Sequence, residues 1–151
     1  LYFVPAFTGL GAPYWNSEAK GALTGITRTT RKAEMVRAGV ECIAYQISDV
    51  VNAMSQDAKT EIQELRVDGG PTRNQYLMQF QSDILDRKVL VPDAEELSGI
   101  GAAYAAGRGL GLYGDEVFTR LKRREYAPKM CEDTRVRKYN GWKDAVGHVL
   151  K

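Results

Sequence analysis

Two cysteines and one histidine are the whole supply of soft metal ligands in this sequence. Cys42, Cys131 and His148 stand in no metal-binding spacing, so a Cys/His zinc site is excluded. So few cysteines fit a reducing compartment better than a disulfide scaffold. Long apolar runs are missing too. Nowhere do about 18 apolar residues follow one another, and residues 1–20 mix Gly, Pro and polar residues without the charged start or cleavage pattern of a leader. Neither a membrane span nor a signal sequence is readable, and a cytoplasmic location without a membrane partner is expected. A Gly-Lys-Ser/Thr phosphate loop is also absent. Gly9-Leu10-Gly11 and Gly99-Ile100-Gly101 each lack the third glycine of a dinucleotide fingerprint, with Tyr14 and Tyr104 in its place.

What is present is the composition of a packed domain, with 44% hydrophobic and 26% charged residues. The chain opens at Leu1 on the apolar run Leu1-Tyr2-Phe3-Val4, which reads as part of a longer protein. Charge is unevenly placed. Residues 1–118 carry 11 Lys/Arg against 15 Asp/Glu, a balance of −4, and residues 119–151 carry 10 against 4, a balance of +6. The expected division is therefore a domain over 1–118 and a basic C-terminal extension over 119–151. Arg120, Lys122, Arg123 and Arg124 would spread around a helix as a solvated face. With no recognition helix or stacking platform, no nucleic-acid partner is expected.

Leu1–Phe7 and Gly21–Thr27 read as two strands separated by a Gly/Pro/Asn loop. From Thr30 to about Met54, Val36, Val40, Ile43, Ile47, Val50 and Met54 recur at steps of four and three, the stripe of an amphipathic helix. Leu65-Arg66-Val67 leads as a strand into Asp68-Gly69-Gly70, and Pro71 opens a second helical pattern carrying Leu77, Phe80 and Ile84. Val89-Leu90-Val91 reads as a buried strand, Ser98 to about Leu112 as a third helix, and the charged remainder as a partly helical extension ending near Trp142. The order β-β-α-β-α-β-α predicts an α/β fold, a mostly parallel sheet covered by helices.

The segment with most chemical meaning is Asp68 to Asn74, between a strand end and a helix start. Unpaired N–H groups at a helix N-terminus suit a phosphate or a polar ligand edge, and two glycines let a flat ring approach the backbone. Ligands of open parallel sheets gather outside the carboxyl ends of strands. Asn74, one turn inside the helix, offers both a donor and an acceptor. The same glycines also suit a mere tight connection with Asp68 as a cap, and both readings stand. Elsewhere little points to catalysis. His148 and Cys42 are expected to be structural, and Asp83, Asp86, Glu95 and Glu96 to be surface charge.

Several stretches resemble a known family, the FGGY carbohydrate kinases: Phe3 to Trp15, Gly21 to Ile26, Glu34-Met35 with Ala38, Val40 and Glu41, Leu65 to Gly70 with Asn74, Leu77 to Leu85, Gly101 to Tyr104, and Gly141-Trp142-Lys143. Gly39 departs from the family's signature, and Ser98-Gly99-Ile100 and Tyr113 depart from its polyol-kinase wording. The resemblance implies the C-terminal, actin-like (RNase H-like) domain of an ATP-dependent polyol kinase, with a sheet left incomplete. It places Gly69 and Gly70 against the nucleotide and Asn74 beside the adenosine. By the same resemblance, the catalytic base, the magnesium ligands and the polyol site lie upstream of Leu1. No catalytic or metal-binding residue is then expected here, and the chain alone would be inactive. The implied partners are ATP/ADP, a polyol and further copies of the full-length protein. A pentulose kinase and a non-catalytic nucleotide-binding module of actin type are the alternatives.

Overall fold

The computed structural model describes residues 1–93, 97–119 and 122–151, with the side chains of 118 and 119 left aside. Glu95, Glu96 and Arg120 lie outside the described residues. The elements run β1 (Tyr2–Val4), β2 (Ala22–Thr24), α1 (Lys32–Ala58), β3 (Glu64–Arg66), a 3-10 turn (Gly70–Arg73), α2 (Gln75–Leu85), β4 (Lys88–Pro92), α3 (Leu97–Gly109), a second 3-10 turn (Asp115–Thr119), β5 (Arg123–Tyr126) and α4 (Glu132–Val149).

The expected mostly parallel sheet is not what forms. Helices dominate, and the strands make two small sheets: β1 pairs antiparallel with β2, and β3, β4 and β5 follow one another in a second sheet. Among the strands of the described residues only β3 and β4 pair in parallel, with Leu65 opposite Val89, and β5 returns antiparallel to β4. The reason is local. Strands of three to five residues bury too little to carry a layer, so the long helices supply most of the core. Residues 119–151 supply β5 and α4. The arginines placed on a helical face there, Arg123 and Arg124, instead stand in β5, and α4 runs past Trp142 to Val149.

α1 begins where Glu34 Oε2 accepts the Arg31 N–H at 2.8 Å, closing an orphan donor of the first turn. It ends at Lys59, left-handed at φ 50°. Its six-residue apolar stripe meets this core only in part, through Val40. Val36, Ile43 and Met54 are exposed, while Ala38, Glu41, Cys42, Tyr45, Ser48 and Asp49 on the other side are buried. That polar-rich face packs on α2, β1 and α4. Tyr45 stacks on Trp142 with ring centroids 5.3 Å apart and meets the edge of Phe80 at 5.4 Å. Trp142 is fully buried, beside Ala145 and Val146 of the same helix.

Most buried polar groups are paired, as burial without water demands, the Tyr45 hydroxyl and the Gln81 side-chain carbonyl being exceptions. Asp49 Oδ2 accepts from Tyr14 Oη and Trp142 Nε1, each at 2.7 Å, and its Oδ1 accepts from Tyr139 Oη at 2.5 Å. Glu41 accepts from Tyr76 Oη and pairs with Arg37 at 3.1 Å and Lys138 at 3.5 Å. Asp83 corrects an expectation: it is buried rather than surface charge, and its Oδ1 accepts the Lys129 N–H at 2.6 Å and the Met130 N–H at 3.2 Å, which fixes the approach to α4. Asp86 ends α2 and pairs with Arg135 of α4 at 2.8 Å. Burial pushes the Cys42 thiol up to about 11, so it behaves as a core side chain. Among the described residues no helix is long and apolar enough to cross a membrane.

Candidate functional site

A cleft of about 610 Å³ opens at the carboxyl ends of the parallel pair β3 and β4. Asp68, Gly69, Gly70, Thr72 and Arg73 form one wall, from the connection between β3 and α2. Val91, Pro92 and Asp93 at the end of β4, Leu97 and Ser98 in the first turn of α3, and Arg124 of β5 form the rest. This is where open α/β sheets expose backbone and collect ligands, and the size falls within the range of small-molecule sites.

The two glycines differ. Gly69 has φ 90°, a backbone that side chains other than glycine adopt only under strain. Gly70 is outside that region, and a Cβ built on it would meet nothing within 4 Å. The turn therefore needs Gly69 for its own geometry and does not need Gly70. What the bare Gly70 provides is open backbone facing the cleft.

Helix α2 does not start at Pro71 as its sequence pattern suggests. Pro71 lies in the 3-10 turn, where Thr72 Oγ1 donates to the Gly69 carbonyl at 2.7 Å, and Asn74 caps α2 by accepting the Leu77 N–H at 3.1 Å. A single helical turn thus separates the glycine pair from the mouth of α2. The side-chain carbonyl of Asn74 is used inward, which leaves its amide N–H groups as the part that can face a ligand. Asp68 makes no cap.

Two basic groups, Arg73 and Arg124, and two carboxylates, Asp68 and Asp93, stand around the same opening, with the Ser98 and Thr72 hydroxyls. Such a wall offers cations to phosphate oxygens and acceptors to ribose or base donors. Arg124 was hidden in the sequence because it reaches the cleft only through β5, and no periodicity marks a lone strand of Arg-Arg-Glu-Tyr. Ser98 was visible only as a departure from family wording. Among the described residues no three His, Cys, Asp or Glu side chains converge as a metal site would require. His148 donates its ring to the Asp144 carbonyl within α4, at 2.6 Å, away from the cleft.

Comparison with known proteins gives a consistent picture. Residues 1–110 match the FGGY family of carbohydrate kinases, C-terminal domain. Over 149 residues the chain is 48% identical to a glycerol kinase of Staphylococcus haemolyticus, covering 97% of this chain and 30% of that protein. It is 51% identical over 153 residues to a glycerol kinase of Thermococcus kodakarensis, covering 99% and 30%. A crystal structure of Plasmodium falciparum glycerol kinase with ADP superposes with a TM-score of 0.89 at 35% identity, covering 99% of this chain and 31% of that one. The chain spans about 30% of the length of the curated relatives it matches.

Proposed function

The chain belongs to the FGGY family of carbohydrate kinases, as its C-terminal domain, and on that premise we propose that it forms the nucleotide-binding wall of a cytoplasmic ATP-dependent polyol kinase. The reaction assigned to the full-length protein is glycerol plus ATP to glycerol 3-phosphate plus ADP, and the full-length protein is taken to be a homo-oligomer. Gly69 and Gly70 carry the nucleotide contact, with Gly70 closest, and Asn74 turns its amide towards the adenosine. The single observation behind this reading is the bare Gly70 backbone at the mouth of the cleft, where a side chain would be tolerated by the protein yet none is present.

Phosphoryl transfer depends mainly on positioning and on neutralising charge as it develops. Within that chemistry the described residues hold and orient. The β3–β4 ends fix the nucleotide's edge, and the 3-10 turn keeps Gly70 in place through the Thr72–Gly69 hydrogen bond. Arg73 and Arg124 supply positive charge on the wall. A magnesium ion would accompany ATP, held mainly by the N-terminal part of the protein, which would also provide the base and the polyol site.

The test is an assay of ATP-dependent phosphorylation by the full-length protein over glycerol and a panel of other polyols and pentuloses, run beside this chain alone. Glycerol should be the preferred acceptor, and the isolated chain should show no turnover above background. Preference for a pentulose would overturn the glycerol assignment. Turnover by the isolated chain at enzyme-like rates, roughly 1 per second or more, would overturn the division of labour.

A further inference from the structure

We propose that Asp93 and Arg124 are two further nucleotide ligands, Asp93 accepting a ribose hydroxyl and Arg124 donating to a phosphate oxygen, so that the nucleotide lies across the ends of β3, β4 and β5. The inference rests on the reading that Gly70 and Asn74 hold the adenosine. Its first support is the order of the strands. β3, β4 and β5 are neighbours in that order, and each brings one part of the cleft wall: Gly70 follows β3, Asp93 follows β4, and Arg124 stands in β5. Neighbouring strands lie about 4.8 Å apart, which puts β3 and β5 about 10 Å from each other. A nucleoside diphosphate spans that width from its base to its phosphates.

The register fixes where the two side chains stand. Arg124 is opposite Val91, and directly opposite residues of an antiparallel pair share a face, so Arg124 joins Val91 on the cleft side. The Asp93 N–H donates to the Lys122 carbonyl at 3.0 Å, which holds the residue after β4 against the start of β5. Elsewhere on the same two strands charge is matched, with Lys88 of β4 and Glu125 of β5 2.9 Å apart. At the cleft it is not. Among the described residues neither the Asp93 carboxylate nor the Arg124 guanidinium makes an ion pair or a side-chain hydrogen bond, and both residues are exposed.

The chemistry of the two groups assigns their targets. A carboxylate only accepts, and it repels phosphate, so of the parts of a nucleotide the ribose, with two hydroxyl donors, suits Asp93. In dinucleotide-binding β-α-β units a carboxylate at the end of the second parallel strand has the same task, and Asp93 ends the second strand of β3-α2-β4. A guanidinium only donates, and its planar fork matches phosphate oxygens. From β3 to β5 the wall therefore reads bare backbone, acceptor, cation, the order of base, ribose and phosphate along the ligand.

The test titrates the full-length protein with ADP, adenosine, 2′-deoxy-ADP and 3′-deoxy-ADP, with thermal melts on the same samples. Arg124→Gln should raise the dissociation constant for ADP about tenfold and that for adenosine less than about twofold. Arg124→Lys, which keeps the charge, should lose less. Asp93→Ala should weaken ADP about tenfold and leave nearly unchanged the deoxy analogue that lacks the accepted hydroxyl. Asp93→Asn replaces it should the alanine variant fail to fold. Equal losses for ADP and adenosine in Arg124→Gln, equal losses for ADP and both deoxy analogues at Asp93, or no loss at either position would each overturn the proposal. Gly70→Val separates this failure from that of the underlying reading. ADP affinity that falls in Gly70→Val and stands in the other variants overturns only the ribose and phosphate assignments, whereas affinity unchanged in all of them overturns the cleft itself.

Discussion

Asp49 is 3% exposed and accepts three hydrogen bonds from two different segments: Tyr14 of the 5–21 loop, and Tyr139 and Trp142 of α4, while Lys143 stands 3.8 Å from it. Truncating it would leave two hydroxyls and an indole N–H facing a void. Asp49→Ala should therefore cost about 3–5 kcal/mol, the range for removing one partner from a buried charged network. Urea unfolding of the variant beside the wild type measures it. Burial raises the pKa of Tyr14, Tyr45 and Tyr139, and the hydrogen bond to Asp49 raises Tyr14 and Tyr139 further. The sign follows. The native state keeps protons that the unfolded chain releases from about pH 10 upward, so this contribution is complete below pH 10 and is lost as pH rises beyond it. Stability measured at pH 8 and pH 10.5 should fall between the two. A Tyr45→Phe variant should fall less, and lose little at pH 8, because the Tyr45 hydroxyl has no hydrogen-bond partner.

At the scale of elements, two helical glycines make opposite forecasts. Gly39 of α1 faces open space, so Gly39→Ala should raise the melting stability of the protein by about 0.5–1 kcal/mol through helix propensity. Gly141 of α4 receives the Tyr2 ring, and a Cβ there would stand 2.5 Å from Tyr2 Cζ. Gly141→Ala should destabilise by about 1–3 kcal/mol in spite of the same propensity gain, because Tyr2 must leave its place against Tyr45. Denaturant melts of both variants check the pair.

The elements themselves were unequally legible. β4 could be read because Val89-Leu90-Val91 is a continuous apolar run stopped by Pro92, and α1 because its apolar spacing is regular. Which face of α1 meets the core was not legible. The buried side carries Glu41, Ser48 and Asp49, and their burial depends on Tyr76, Gln81, Tyr139 and Trp142, all distant in sequence. For the same reason Asp83 passed for surface charge and Arg124 for a solvated arginine. The glycine turn was legible as a strand-to-helix connection, yet its 3-10 turn was not, because Pro71 fits the first turn of either helix type.

At the scale of the whole molecule, the chain supplies an open cleft at the ends of β3 and β4. The account rests on that cleft holding the nucleotide, and the two glycines let that claim be tested apart from stability. Gly69→Val should destabilise the fold by about 1–3 kcal/mol through its φ of 90°. Gly70→Val should leave melting nearly unchanged, since nothing lies within 4 Å of its Cβ. The most direct measurement is an ADP titration of full-length Gly70→Val, with its thermal melt recorded on the same sample. The account predicts a folded protein with a wild-type melt and a dissociation constant for ADP raised at least tenfold. Unchanged ADP affinity in that folded variant would contradict it.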